Sequence, residues 1–157
     1  MLRLEAIHPI MTHFPIVFVL TLAAFDTLVL MVGRGIGGRS AVANVSAGLA
    51  VLTGIGAAAA YLFGDAAYDI AIEKGFPESA LETHQILGTT AAAVLALWAL
   101  IRAFLWWRGA ALAGGRSRAV AGIEIAAAVL ILVTAYFGGH LVYELGVNVA
   151  VVNPHKI

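Results

Sequence analysis

Long apolar runs separated by short polar segments dominate the hydrophobic pattern of this sequence. A helix needs about 20 apolar residues, at 1.5 Å each, to cross the hydrocarbon core of a bilayer. Four runs are long enough, at about residues 9–32, 41–63, 86–107 and 120–143. We therefore predict an all-α fold, an integral membrane four-helix bundle that runs up-down-up-down as a single domain over residues 1–157. No internal repeat is evident.

The polar segments between the runs predict the connections. Residues 33–40 hold four glycines and two arginines, which indicates a tight turn. Residues 65–83 are mostly polar, with apolar residues recurring at helical spacing. This pattern predicts a connection that contains a short surface helix ended by Gly75 and Pro77. Residues 109–118 form the third connection, and residues 146–157 form a short tail.

Composition agrees with a membrane protein and excludes several functions. Hydrophobic residues make up 62% of the chain and charged residues 11%, with a mean hydropathy of +0.97, whereas soluble domains are about 45–50% apolar and about 25% charged. Nine basic residues balance nine acidic ones, so no basic excess is available for nucleic acid. The absence of cysteine excludes disulfides, thiolate metal sites and iron–sulfur clusters. No serine or threonine lies in a recognisable nucleophile elbow and cysteine is absent, so an enzyme with a covalent nucleophile is not expected.

The basic residues of the connections predict the orientation. One side of the membrane carries five arginines, and the positive-inside rule makes that side cytoplasmic. The other side carries Arg3, Lys74 and Lys156 among acidic residues, so both termini and the acidic connection are expected outside. The five arginines are Arg34, Arg39, Arg108, Arg116 and Arg118.

Histidines lie at the outer ends of three of the four predicted spans. Ionisable groups inside spans are costly and usually functional, and neutral imidazole is the commonest protein ligand for iron, copper and zinc. We therefore predict a metal site on this side. Its candidate ligands are His8, His13, His84 and His140.

The nearby glycines favour a flat cofactor. Positions without a side chain allow a macrocycle to approach closely, so Gly88, Gly138 and Gly139 are predicted to bind the cofactor. Spans one and three are diagonal in an up-down bundle, which makes His13 and His84 the first axial pair for haem b. His8 and His140 then form a second pair or lie beside the first. Two alternatives stay open, namely copper or zinc held by three or four imidazoles, and a metal-free structural subunit whose histidines bond carbonyls and water.

Charges deep inside the spans cluster at the cytoplasmic side. Asp26, Arg102 and Glu124 share one depth, where an isolated charge is costly. We expect the Arg102 guanidinium to lie between the two carboxylates and to donate hydrogen bonds to both. Asn44 lies near enough in depth to bond this group of charges as well. A structural lock between helices is favoured over a site for protons or a quinone headgroup. Small residues along the second span allow close packing within the monomer or across a homodimer.

Three motifs resemble a bacterial membrane family catalogued as domain of unknown function 2231. They are residues 8–16 (His-Pro-Ile-Met-Thr-His-Phe-Pro-Ile) followed by Phe25-Asp26, residues 82–85 (Glu-Thr-His-Gln) with Gly88, and residues 138–147 (Gly-Gly-His-Leu-Val-Tyr-Glu-Leu-Gly-Val). The family's members are similar to four-helix membrane proteins, and some carry a fused Rieske-type iron–sulfur domain. The resemblance therefore implies electron transfer and favours haem b, with a Rieske partner as a separate protein because this chain has no cysteine.

The leading hypothesis is a b-type cytochrome of the bacterial inner membrane, with its histidine cluster on the periplasmic side. Such a protein passes electrons between the quinone pool and an outward-facing acceptor, either a periplasmic or a Rieske-type redox protein. Its acidic outer connection would guide a basic partner.

Overall fold

The computed structural model describes residues 4–149. It has four helices, α1 (Leu4–Met31), α2 (Ala41–Glu73), α3 (Glu78–Trp107) and α4 (Gly115–Tyr143), and residues 4–149 contain no strand. Each helix is long and apolar enough to cross a bilayer. The four expected spans are therefore confirmed, and the chain is a multi-pass membrane protein.

Helices α2 and α3 extend well beyond their expected spans. The predicted connection over residues 65–83 is wrong, because α2 continues to Glu73 and α3 begins at Glu78, so that only residues 74–77 link them. Gly75, at φ +87°, and Pro77, the N-cap of α3, mark this short link. The helical extensions are held by an apolar cluster at their inner face, which excludes water from that side. Its members are Ala71, Leu81, Leu141 and Val147, with Tyr68 and Phe76 packed against them.

Small residues let α2 pack closely between two neighbours. Helix α2 packs against α1 and α3, and α4 contacts the same two helices more lightly from the other side. Helices α1 and α3 thus lie on a diagonal of the bundle. A Cβ added to Gly56 would lie 3.1 Å from the Pro15 nitrogen, and one added to Gly54 would collide with the Ala99 side chain. Close approach of this kind is how membrane helices gain packing energy without a hydrophobic driving force.

Polar contacts join the helices at two opposite ends of the bundle. His8, near the start of α1, contacts Ala60 late in α2, whereas Asp26, near the end of α1, contacts Ser46 early in α2. We call the end that holds His8 the histidine end and the end that holds Asp26 the arginine end. Eighteen residues of helix separate His8 from Asp26, or about 27 Å at 1.5 Å per residue.

Two loops close the arginine end by packing on each other. The amide of Gly38 donates to the Ala110 carbonyl at 2.9 Å, and Gly37 has no room for a Cβ because the Leu112 backbone lies against it. The Ser40 hydroxyl then caps α2 by accepting from the Ala43 amide at 3.2 Å. These contacts hold the predicted turn over residues 33–40 against the loop that follows α3.

The segment after α4 folds back onto the histidine end. Val147 is buried in the apolar cluster there. The Asn148 side chain donates to the Ala67 carbonyl at 2.8 Å and accepts from Lys74 at 3.0 Å. Arg3 and Lys156, which contribute to the predicted orientation, lie outside the described residues.

Candidate functional site

Two histidines meet across the diagonal of the bundle. The rings of His8 on α1 and His84 on α3 have their centroids 6.2 Å apart, with 69° between the ring planes. Both side chains are half-buried. Because α1 and α3 are not neighbours, this pair spans the space between them at the histidine end.

Each ring of the pair is anchored by a backbone carbonyl of the adjacent helix. The Nδ1 atom of His8 lies 3.0 Å from the Ala60 oxygen, and Nδ1 of His84 lies 3.1 Å from the Thr134 oxygen. A carbonyl only accepts hydrogen bonds, so each Nδ1 carries the hydrogen and donates it. In a neutral ring, this leaves Nε2 with a free lone pair, which is the tautomer of metal-binding histidines.

A glycine lies beside each of these rings, four residues after the accepting carbonyl. A Cβ at Gly64 would lie 2.8 Å from Cε1 of His8, and a Cβ at Gly138 would lie 2.8 Å from Cε1 of His84. Contacts that short do not occur, so any larger residue would displace the ring. Gly139 is different, because the nearest described atom to its added Cβ is Cδ2 of Tyr143 at 3.9 Å.

Open space lies next to the pair at Gly88. This glycine follows His84 by one turn and is half-buried, on the side of α3 that also carries buried Ala91 and Leu95. A Cβ added there would meet, among the described residues, no atom within 4 Å outside its chain neighbours and the local backbone of α3. A side chain at position 88 would therefore extend into open space.

The two halves of the bundle repeat one arrangement. In each half, a histidine early in the first helix bonds a carbonyl of the second helix and lies over the glycine four residues later. The spacing also repeats, because Asp26 follows His8 by 18 residues and Arg102 follows His84 by 18. Eighteen residues are five turns of 3.6, so both members of each pair lie on one face of the helix. That spacing is the signal that the sequence analysis missed.

The other two candidate histidines do not join the pair. His13 is exposed, and its Nδ1 contacts the Pro9 carbonyl of its own helix at 2.6 Å. His140 contacts Glu144 one turn later at 3.1 Å, with 41% of its side chain exposed. The structure thus pairs His84 with His8 instead of the expected His13, because five residues place His13 about 140° around α1 from His8. Among the described residues, no group of three or more His, Asp or Glu side chains is arranged to hold a metal ion.

The three deep charges lie in contact at the arginine end. Arg102 Nη1 donates to Asp26 Oδ2 at 3.1 Å and to Glu124 Oε1. Two further side chains, which the sequence analysis did not single out, complete the network. Ser46 accepts from Arg102 Nη2 and donates to Asp26 Oδ2 at 2.7 Å, and Trp98 donates to Glu124 Oε1 at 3.3 Å.

Asn44, expected near this cluster, is bonded elsewhere. Its side-chain oxygen accepts from the Trp106 indole at 2.8 Å, in an exposed position. It therefore belongs to the surface of the arginine end and not to the buried network.

Comparison with known proteins supports the membrane assignment and gives no function. No curated protein and no solved structure matches this sequence. A family model described as a predicted membrane protein, DUF2231, matches residues 4–151. This match covers both the paired histidines and the buried charges, and it confirms the predicted family. The chain belongs to the DUF2231 family of membrane proteins.

Proposed function

We propose that this protein is a membrane cytochrome of the b type, which holds haem between His8 and His84. In this proposal it passes electrons between the quinone pool and an acceptor outside the membrane. The observation that carries the proposal is the separation and anchoring of the two rings, which come from opposite sides of the bundle.

The distance between the rings matches coordination of one iron by both. A metal–imidazole bond of about 2.0 Å places the centre of each ring about 3 Å from the metal, so two axial rings have centres about 6 Å apart. The observed centroid separation is 6.2 Å. The separation of the two rings would therefore allow both His8 and His84 to hold one iron.

The number of imidazoles favours haem over copper or zinc. A haem iron takes two axial ligands, and His8 with His84 supplies two, whereas protein zinc sites take three or four protein ligands. The open position at Gly88 gives space beside the pair. Gly138 lets the His84 ring reach its carbonyl, while Gly139, predicted to contact the cofactor, has only Tyr143 within 4 Å among described atoms.

Residues of the chain would orient and tune the site. When bound, haem supplies a one-electron couple. The carbonyls of Ala60 and Thr134 hold the two Nδ1–H groups, which fixes the direction of each ring and raises the basicity of Nε2. His13 contacts Pro9 and His140 contacts Glu144, away from the pair of rings. We therefore assign neither residue a role as a haem ligand.

The orientation of the bundle is part of the same proposal. The arginine end carries Arg34, Arg39, Arg108, Arg116 and Arg118, which favours the cytoplasmic side of a bacterial inner membrane. An up-down-up-down course then puts both termini and the histidine pair on the periplasmic side. Acidic residues along the ends of α2 and α3 would attract a basic redox partner, such as a periplasmic or Rieske-type protein.

Absorption spectroscopy of the purified protein tests the proposal. We expect a Soret band and, after dithionite, the sharp bands of a six-coordinate b-type haem. His8→Ala and His84→Ala should each abolish this spectrum, whereas the matched controls His13→Ala and His140→Ala should retain it. A colourless protein with stoichiometric copper or zinc, or full haem in both His8→Ala and His84→Ala, would overturn the proposal.

A further inference from the structure

The buried network at the arginine end has a surplus negative charge. Asp26 comes from α1, Arg102 from α3 and Glu124 from α4, and their side chains are 0%, 2% and 0% exposed. Helix α2 contributes the Ser46 hydroxyl and no charged group. With both carboxyl groups ionised, the network would carry one uncompensated negative charge. A buried charge without a partner costs several kcal/mol, and a proton removes that cost.

Both carboxyl groups also have an oxygen with no partner. Among the described atoms, Asp26 Oδ1 and Glu124 Oε2 are buried and make no hydrogen bond. The two carboxyl groups contact the same Nη1 atom of Arg102, so they lie close to each other. Ionised carboxylates only accept hydrogen bonds, so a bond between these two groups requires a proton on one of them.

A small cavity connects this network to the loops of the arginine end. Arg102 lines it together with Trp106, Gly37, Gly38 and Ala110. Its size suits about one water molecule. The cavity therefore places a water-sized space beside the guanidinium, on the side of the loops of the arginine end.

We propose that Asp26, Arg102 and Glu124 form a proton-binding site. One exchangeable proton is shared by the two carboxyl groups, and it is taken up and released through the cavity beside Arg102. The proton makes the buried network electrically neutral. This site is independent of haem, because it lies about 27 Å from the histidine pair along the helices.

Infrared spectroscopy of the purified protein in lipid tests the proton directly. At neutral pH we expect the C=O stretching band of a buried carboxylic acid, shifted in D₂O. Glu124→Gln and Asp26→Asn should each remove it, because either change leaves one carboxylate opposite one arginine. The matched control Glu144→Gln, at an exposed acid, should retain the band. No acid band in the wild type, or a band that persists in both buried variants, would overturn the proposal.

Isotope labelling keeps the test decisive if a variant does not fold. Carboxyl-labelled aspartate or glutamate in the wild-type protein should shift the same acid band, and a band unmoved by either label would refute the shared proton. We also expect the band to exchange into D₂O as fast as the solvent is changed. A band that stays unexchanged in folded protein would contradict access through the cavity.

Discussion

Alanine at Gly138 tests whether the glycine sets the position of the His84 ring. The added Cβ would lie 2.8 Å from Cε1 of His84, whereas ordinary contact begins at 3.4 Å. Relieving this contact moves the ring by about 0.6 Å, which stretches the Nδ1···O distance from 3.1 Å to about 3.7 Å, beyond the range of hydrogen bonding. The ring then loses both its anchor and its direction.

The expected effect is a selective loss of haem. Removing an outer-shell partner of a metal ligand typically lowers metal affinity about 10–100-fold, and we expect a loss in this range for Gly138→Ala. The same substitution should not destabilise α4, because alanine is favoured over glycine by about 1 kcal/mol inside a helix. The variant should therefore fold normally and bind haem poorly.

Titration of the haem-free protein with haem, followed by absorbance, measures this loss. Gly139→Ala is the matched control, since it makes the same change one residue away with only Tyr143 at 3.9 Å. Thermal unfolding of both haem-free variants should show equal stability. Equal haem affinity for Gly138→Ala and Gly139→Ala would refute the account of how His84 is held.

Three further substitutions separate the parts of this account. Gly64→Ala should weaken haem binding as Gly138→Ala does, measured by the same titration, whereas Gly48→Ala, in open space, should not. Gly88→Leu should leave the haem-free protein folded in thermal unfolding but block haem, and undiminished titration would argue against a cofactor beside Gly88. Arg102→Leu should cut the folded yield on size exclusion sharply, since removing one member of a buried ion pair costs about 3–5 kcal/mol. The spectrum of the surviving protein should be unchanged, and a normal yield would show that Arg102 is no structural lock.

Hydropathy alone predicts the four spans, because each run of apolar residues is a local signal of what must face lipid. The ends of α2 and α3 show where that signal fails. Asp65, Asp69 and Glu82 interrupt the apolar runs, yet they lie on the exposed sides of helices that continue past the apolar core. The apolar spacing there predicts a short separate helix, and packing among Ala71, Leu81 and Leu141 accompanies its continuity with α2 and α3.

Depth along a helix is easier to predict than direction around it. Counting residues from the ends of the predicted spans places Asp26, Arg102 and Glu124 at the same depth in the membrane. The structure shows these three side chains in contact. The same counting gave His13 and His84 similar depths, but the side chain of His13 points away from the bundle. Its direction depends on where α1 begins and how it packs, and neither is encoded by the histidine itself.

The identity of the axial ligands is the most direct test of the central claim. It can be measured from an experimental structure of the haem-loaded protein in lipid, with the iron located by anomalous scattering. The account predicts one iron between His8 and His84, bonded to Nε2 of each at about 2.0 Å, with both Nδ1 atoms still bonded to Ala60 and Thr134. Iron held by His13 or His140, or no iron between the two rings, would contradict it.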